Sequence, residues 1–174
     1  MSAGDTNEIV RISNVYALAV DLLRWDLFDG VFTSDVEADY GPTMHWRDLD
    51  TFKRDFDTFH RGLDASQHTL ANHQVVIRGD RANSVIYGIW RLMRHVPQGG
   101  GDFWQGGGWY DDDWVRTAQG WRIKKRVCRV GWWEGNPRVG DTIPGTHFEQ
   151  NATSIRREAD AGKIAYLKAL AQKK

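Results

Sequence analysis

The chain has 174 residues with nine tryptophans and one cysteine, and its 23 Lys plus Arg balance 23 Asp plus Glu to a formal net charge of zero. That length suits one core of ordinary domain size, and the balanced charge leaves no electrostatic footprint for nucleic acid or an anionic membrane. Cys128 has no internal disulfide partner, the first five residues lack a basic-then-apolar leader, and no apolar run approaches the ~20 residues of a membrane span, so the chain reads as cytoplasmic.

Residues 7–24 place Ile9, Ile12, Tyr16, Ala19 and Leu23 at helical spacing, and Trp25 to Val31 predict a second, short helix ending at Gly30. Asp21 lies within the apolar run Val15-Tyr16-Ala17-Leu18-Ala19-Val20-Asp21-Leu22-Leu23, which on a helix is apolar nearly all round. A carboxylate there has little chance of full solvation and needs a partner, because burying it unpaired is costly. A short strand through Val36, Ala38 and Tyr40 is broken at Gly41-Pro42, and Phe52, Phe56 and Phe59 mark a third helix over 49–63. From Ser66 the period changes, predicting strands over 67–78, 82–96, 108–117 and 121–133, with a glycine-rich connection over 97–107. Helices followed by an antiparallel meander imply an α+β fold with helices on one face of a curved sheet. Beyond Trp133, the glycines and prolines of 135–145 predict a tail or lid, and 153–171 predicts an amphipathic helix packed on the body or on a neighbouring subunit. The division expected is a domain over 1–135 and a C-terminal extension over 136–174.

His68, in Ser66-Gln67-His68-Thr69, is the leading partner for Asp21. An imidazole held by a carboxylate keeps one tautomer and leaves its other nitrogen free to move a proton near neutral pH; the plainer reading is a satisfied core histidine. Asn72 and Gln74 share the parity of His68 and either orient a substrate or bond the next strand, while His73 points to the opposite face. His45, His60, His95 and His147 show no ligand spacing, so no metal is expected. Asp111, Asp112 and Asp113 read as a charged edge strand. Glycines 99–101 and 106–108 do not sit between a strand and a helix, and are a connection or a mobile flap over a pocket mouth. Arg91 and Arg126, in otherwise apolar strands, need carboxylate partners or an anionic ligand. Cys128 reads as a small filler, and the tryptophans as core packing or the walls of an aromatic cavity.

The ordered set Leu22-Leu23-Arg24-Trp25-Asp26, Phe32-Thr33-Ser34-Asp35-Val36, Ser66-Gln67-His68, Arg78-Gly79-Asp80-Arg81-Ala82 and Gly120-Trp121-Arg122-Ile123 resembles the SnoaL-like and scytalone dehydratase-like group of the cone-shaped nuclear-transport-factor fold. The resemblance covers about residues 8–135. It implies a curved antiparallel sheet wrapped around N-terminal helices, a deep pocket, and the chemistry of cofactor-free lyases, isomerases and cyclases. Asp21 and His68 match the family's catalytic dyad, and Tyr40 a tyrosine that polarises the substrate carbonyl through water in scytalone dehydratase. Val20, Trp90 and Tyr110 stand where that enzyme has a second tyrosine, a second histidine and an asparagine, which implies a different substrate.

The function expected is therefore a cofactor-independent lyase that eliminates water, or a fragment such as formaldehyde, from a bulky aromatic hydroxy compound of the polycyclic or lignin-derived diaryl kind. Its catalytic residues are expected to be Asp21, His68 and Tyr40, with Trp90, Tyr110, Asn72, Val20 and Trp109 against a small hydrophobic aromatic substrate. The alternatives are an isomerase or cyclase, a non-catalytic β-type subunit of a ring-hydroxylating oxygenase, and a ligand-binding or transport-adaptor module. A homotrimer or homodimer is expected from the exposed strand edge and the aromatic-rich sheet.

Overall fold

The computed structural model describes residues 3–149 and 151–172. Helix α1 (Ala3–Asp21) buries Ile9, Ile12, Tyr16, Ala19 and Val20 along one face. It ends sooner than the apolar spacing predicts. Arg24 N–H bonds back to Ala19 O (2.9 Å) and Leu23 N–H to Val20 O (3.1 Å), with Leu23 in the left-handed region at φ 54°, a C-terminal stop that usually recruits glycine. Asp21 is thereby left at the helix end. A 3₁₀ turn (Trp25–Gly30) leads into β1 (Phe32–Asp39) and β2 (His45–Trp46). Helix α2 (Leu49–His60) starts on Asp48, whose carboxylate accepts from Thr51 N–H at 2.8 Å, and buries Leu49, Phe52, Phe56 and His60.

Strands β3 (Ala65–Arg78), β4 (Arg81–Met93), β5 (Phe103–Thr117) and β6 (Gly120–Gly135) form an antiparallel meander. The first strand then joins the last in parallel, giving the order β2-β1-β6-β5-β4-β3. Register shifts in β3, β5 and β6 mark bulges, which bend and twist a strand. The curved, unclosed sheet wraps its concave face around α1 and α2, where Tyr16, Phe28, Phe52, Ile86, Tyr110, Trp114 and Ile123 are buried. Among the described residues no helix is long and apolar enough to cross a membrane.

Several expectations change here. The glycines 106–108 lie inside β5, not in a flap. A Cβ at Gly106 would collide with the Trp104 indole, at Gly107 with the Trp132 indole, and at Gly108 with the Arg129 carbonyl, so these glycines let large rings lie along the strand. The remaining glycine turn is pinned, since Asn136 Nδ2 donates to Gly99 O (3.2 Å) and Gly101 O (2.7 Å). The C-terminal helix is two helices, α3 (Ile155–Asp160) and α4 (Ala165–Ala171), separated at Gly162, whose φ is 66°. Ile164, just before α4, packs with Val85 and Trp109 on the outer face of the sheet.

Asp111, Asp112 and Asp113 occupy a central strand, not an edge. Asp111 accepts from the Ala165 and Tyr166 amides (2.6 and 3.1 Å), holding the start of α4 against the sheet. Asp112 is wholly buried against Arg126, and Asp113 accepts from Asn83 Nδ2.

Burial pushes the Asp111 carboxyl up from 3.8 to about 6, against the pull of the two amides. A raised carboxyl favours the folded state below its unfolded value and loses that contribution as pH rises through its folded one, a difference of roughly 2–3 kcal/mol at pH 7.5. Asp111→Asn removes the charge and retains one acceptor, at a cost of about 1 kcal/mol for the weakened bond. The variant is predicted to be about 1–2 kcal/mol more stable than the parent at pH 7.5, an advantage that vanishes near pH 4. Urea unfolding at the two pH values checks both sign and window.

Candidate active site

The concave face encloses a cavity of about 400 Å³, walled by rings that include Tyr16, Tyr40, Phe56, Phe59, Trp90, Trp104, Tyr110 and Phe148. Ligand pockets of roughly 300–1,000 Å³ are the common range for compact organic molecules. Two polar groupings line this aromatic interior.

The first is built where α1 ends beside β3. Because β3 is an edge strand, its outward amides need partners from elsewhere. Asp21 supplies one: its Oδ2 accepts from His68 N–H at 2.8 Å, while Oδ1 accepts from Ser66 Oγ at 2.9 Å and lies 2.7 Å from His68 Nδ1. Ser66 and His68 reach the same carboxylate because alternate strand residues share a face. The His68 side chain is 6% exposed and that of Asp21 21%. Burial pulls the Asp21 carboxyl upward, but the bonds from His68 and Ser66 outweigh it and leave it below its ordinary 3.8. With Asp21 an acceptor only, Nδ1 carries the proton of the neutral ring and Nε2 keeps a lone pair for the cavity that His68 lines.

Beside it stands His60, the last residue of α2, whose ring centroid is 6.3 Å from that of His68. Its Nδ1–H donates to Phe56 O at 2.7 Å. Burial, reinforced by His68, pushes this imidazole down to about 4, so it is neutral.

The second grouping is phenolic. Tyr16 and Tyr40 hydroxyls are 2.9 Å apart, and Trp90 Nε1–H donates to the Tyr110 hydroxyl. Beneath them the Arg126 guanidinium packs on the Tyr16 and Tyr110 rings, 4.2 and 4.3 Å from their centroids, the two rings meeting edge to face. Its guanidinium makes a two-pronged pair with Asp112 at 2.8 and 2.7 Å, with neither side chain exposed. The partner of this guanidinium is thus a carboxylate of the next strand. Arg91 instead bonds Gln67 at 3.3 Å on the exposed side. Burial raises all three tyrosines, most strongly Tyr40 and Tyr110, so they act as hydroxyls. Cys128 also lines the cavity, but burial pushes its thiol up to about 12, leaving no thiolate nucleophile.

Of the residues singled out from sequence, His68, Tyr40, Trp90 and Tyr110 line the cavity and Asp21 stands behind His68. Val20, Asn72 and Trp109 do not. Val20 is fully buried in the core behind the wall, and Trp109 lies on the outer face with Val85 and Ile164. Asn72 is exposed, at φ 52°, in the bulge where Asn72 and His73 together oppose Ile86. That extra residue flips the parity of β3, so Leu70 and Val75 point inward and Gln74 outward. Tyr16, His60, Trp104, Phe148 and the Arg126–Asp112 pair were not foreseen at the site. Tyr16 lies one helical turn before Val20 and supplies the second phenol there, a spacing the sequence does carry. Among the described residues no group of three His, Cys, Asp or Glu side chains could hold a metal ion.

The chain belongs to the SnoaL-like domain family, whose model matches residues 1–127. An uncharacterised protein of Mycobacterium tuberculosis is 34% identical over 131 residues, covering 71% of this chain and 83% of its own. A Kribbella flavida protein of known structure superposes with a TM-score of 0.73 at 27% identity, covering 79% of this chain and 97% of that one. A protein of Novosphingobium aromaticivorans described as a putative scytalone dehydratase superposes with a TM-score of 0.67 at 17% identity, covering 87% and 99%. At that identity the likeness is one of fold.

The buried ion pair makes a stability prediction. Asp112→Asn strands the Arg126 charge and should cost about 3–5 kcal/mol, whereas the double change Asp112→Leu with Arg126→Met should recover most of that loss. Urea unfolding of the single and double variants measures both.

Proposed function

We propose that this SnoaL-like protein is a cofactor-independent lyase that acts on a bulky aromatic hydroxy compound through a proton-transfer dyad of His68 and Asp21. The observation that carries the reading is the 2.7 Å bond from His68 Nδ1 to a carboxylate with two further donors, at the wall of an aromatic cavity. Asp21 fixes the tautomer and stabilises the imidazolium once His68 Nε2 has taken a proton. Tyr40, bonded to Tyr16, donates toward the substrate oxygen on which negative charge grows, with Tyr110 and Trp90 placing the rings.

For dehydration, Nε2 removes the proton from the carbon beside an activating carbonyl. The C–H electron pair forms the new double bond, the β C–O bond breaks, and the imidazolium returns its proton to the departing hydroxide as water. For aldehyde release, Nε2 takes the proton of a hydroxymethyl group, the adjoining C–C bond breaks to free formaldehyde, and the electron pair expels a neighbouring hydroxyl as water. Isomerisation is the second reading, supported by the same base and phenols: the proton taken by His68 would be returned to another carbon. Self-association as a trimer or dimer belongs to the proposal, supported by Tyr87 and Trp132, 41% and 46% exposed.

His68→Ala is expected to lower kcat/KM by roughly 10²–10⁴-fold with the fold retained. Asp21→Asn, which keeps shape but not charge, should reduce kcat more than it raises KM. Steady-state kinetics on aromatic hydroxy ketones, polycyclic alcohols and diaryl propanediols check these outcomes, and undiminished turnover by His68→Ala contradicts the dyad. Light scattering that reports a monomer at micromolar concentration contradicts the proposed self-association.

A further inference from the structure

We infer that His60 is a specificity-determining residue, accepting at Nε2 a hydrogen bond from a hydroxyl on the aromatic substrate and so selecting phenolic over etherified rings. This rests on the reading of the cavity as an aromatic-substrate site, and not on the chemistry assigned to His68. His60 closes the buried face of α2, and its Nδ1–H is committed to the Phe56 carbonyl at 2.7 Å. That bond fixes the tautomer, so the other nitrogen is an acceptor and nothing else. Trp25, Phe56 and Phe59 ring centroids stand 5.6, 5.0 and 5.0 Å away and hold the imidazole in place.

A ring nitrogen left unmatched in an apolar wall costs free energy that a ligand donor would recover. Here Nε2 has no hydrogen-bond partner among the described residues, although the side chain lines the cavity and the residue is 7% exposed. Several other polar groups of the cavity are matched, the Tyr16 hydroxyl to Tyr40, the Trp90 indole to Tyr110 and His68 Nδ1 to Asp21, and the unmatched Trp104 indole N–H is a donor, leaving the acceptor role to His60. An acceptor fixed in an apolar wall favours a ligand donor and penalises a ligand that brings none. Charge at His60 is opposed by burial and by the adjacent His68, so the ring stays neutral and Nε2 remains an acceptor.

Calorimetric binding of the matched probes 2-naphthol and 2-methoxynaphthalene tests the assignment with no turnover required. The parent protein should prefer 2-naphthol by about tenfold or more, equivalent to about 1.4 kcal/mol. His60→Phe, which keeps a ring, should abolish the preference by weakening 2-naphthol alone, whereas His68→Ala should retain it. In parent protein with ¹⁵N-labelled histidine, the His60 Nε2 resonance should move with 2-naphthol and not with the ether, a readout that does not depend on the variant folding. Equal affinity for the pair, no binding of either, a preference that survives His60→Phe, or an unmoved Nε2 resonance overturns the assignment. Loss of turnover in every assay with the naphthol preference intact would instead overturn the lyase reading and leave this one standing.

Discussion

The carboxylate of Asp21 is the constraint on which the working wall of the cavity depends. It sits at the C-terminal end of α1, where the helix dipole disfavours negative charge, and it is largely withdrawn from water. Three donors from β3 offset those costs. One contact therefore does three things: it ends the helix against the sheet, occupies an amide of the open strand edge, and sets the tautomer of His68. The left-handed Leu23 that stops the helix, a conformation costing roughly 1–2 kcal/mol in a non-glycine residue, places the carboxylate at that edge rather than one turn further on.

Beneath the phenols the organising charge is Arg126, neutralised by Asp112 and packed against two tyrosine rings. It presents no charge to the cavity. Its contribution there is to set the positions of Tyr16 and Tyr110, and through Tyr16 that of Tyr40. The lining combines the His60 and His68 imidazoles, the Tyr16, Tyr40 and Tyr110 phenols, apolar rings, and the Asp55 carboxylate that accepts from Trp46 Nε1. Such an interior suits a reaction in which a proton leaves carbon and negative charge collects briefly on oxygen.

Much of this was legible in the sequence because periodicity carries it. The apolar stripe of α1, the Phe52 and Phe56 spacing of α2 and the alternation of β4 to β6 predict the layers, and an aspartate within an apolar run points to a partnered carboxylate. Parity reasoning failed at Asn72, where a bulge inserts one residue and reverses the face, and no residue type announces such an insertion. Trp109 was expected at the site together with Tyr110, although strand neighbours point to opposite faces; both faces of β5 are covered, the inner one by the helices and the outer one by α4, so an aromatic residue is called for on each. The parallel pairing of β1 with β6 joins segments far apart in sequence, beyond the reach of local pattern. Glycines 106–108 imitate a loop because what crowds them, the Trp104 and Trp132 rings and the Arg129 carbonyl, comes from other positions. His60 reads as an ordinary helix residue until Phe56 O is seen to take one of its two nitrogens.

The central claim, that Asp21 holds His68 as a base with its free nitrogen toward the cavity, is tested most directly by ¹⁵N NMR of the imidazole at a pH where the ring is neutral. The account predicts a single tautomer for His68, protonated at Nδ1 with a strongly deshielded proton, and loss of that signature in Asp21→Asn. A His68 protonated at Nε2, or a mixture of tautomers unaffected by Asp21→Asn, would contradict it.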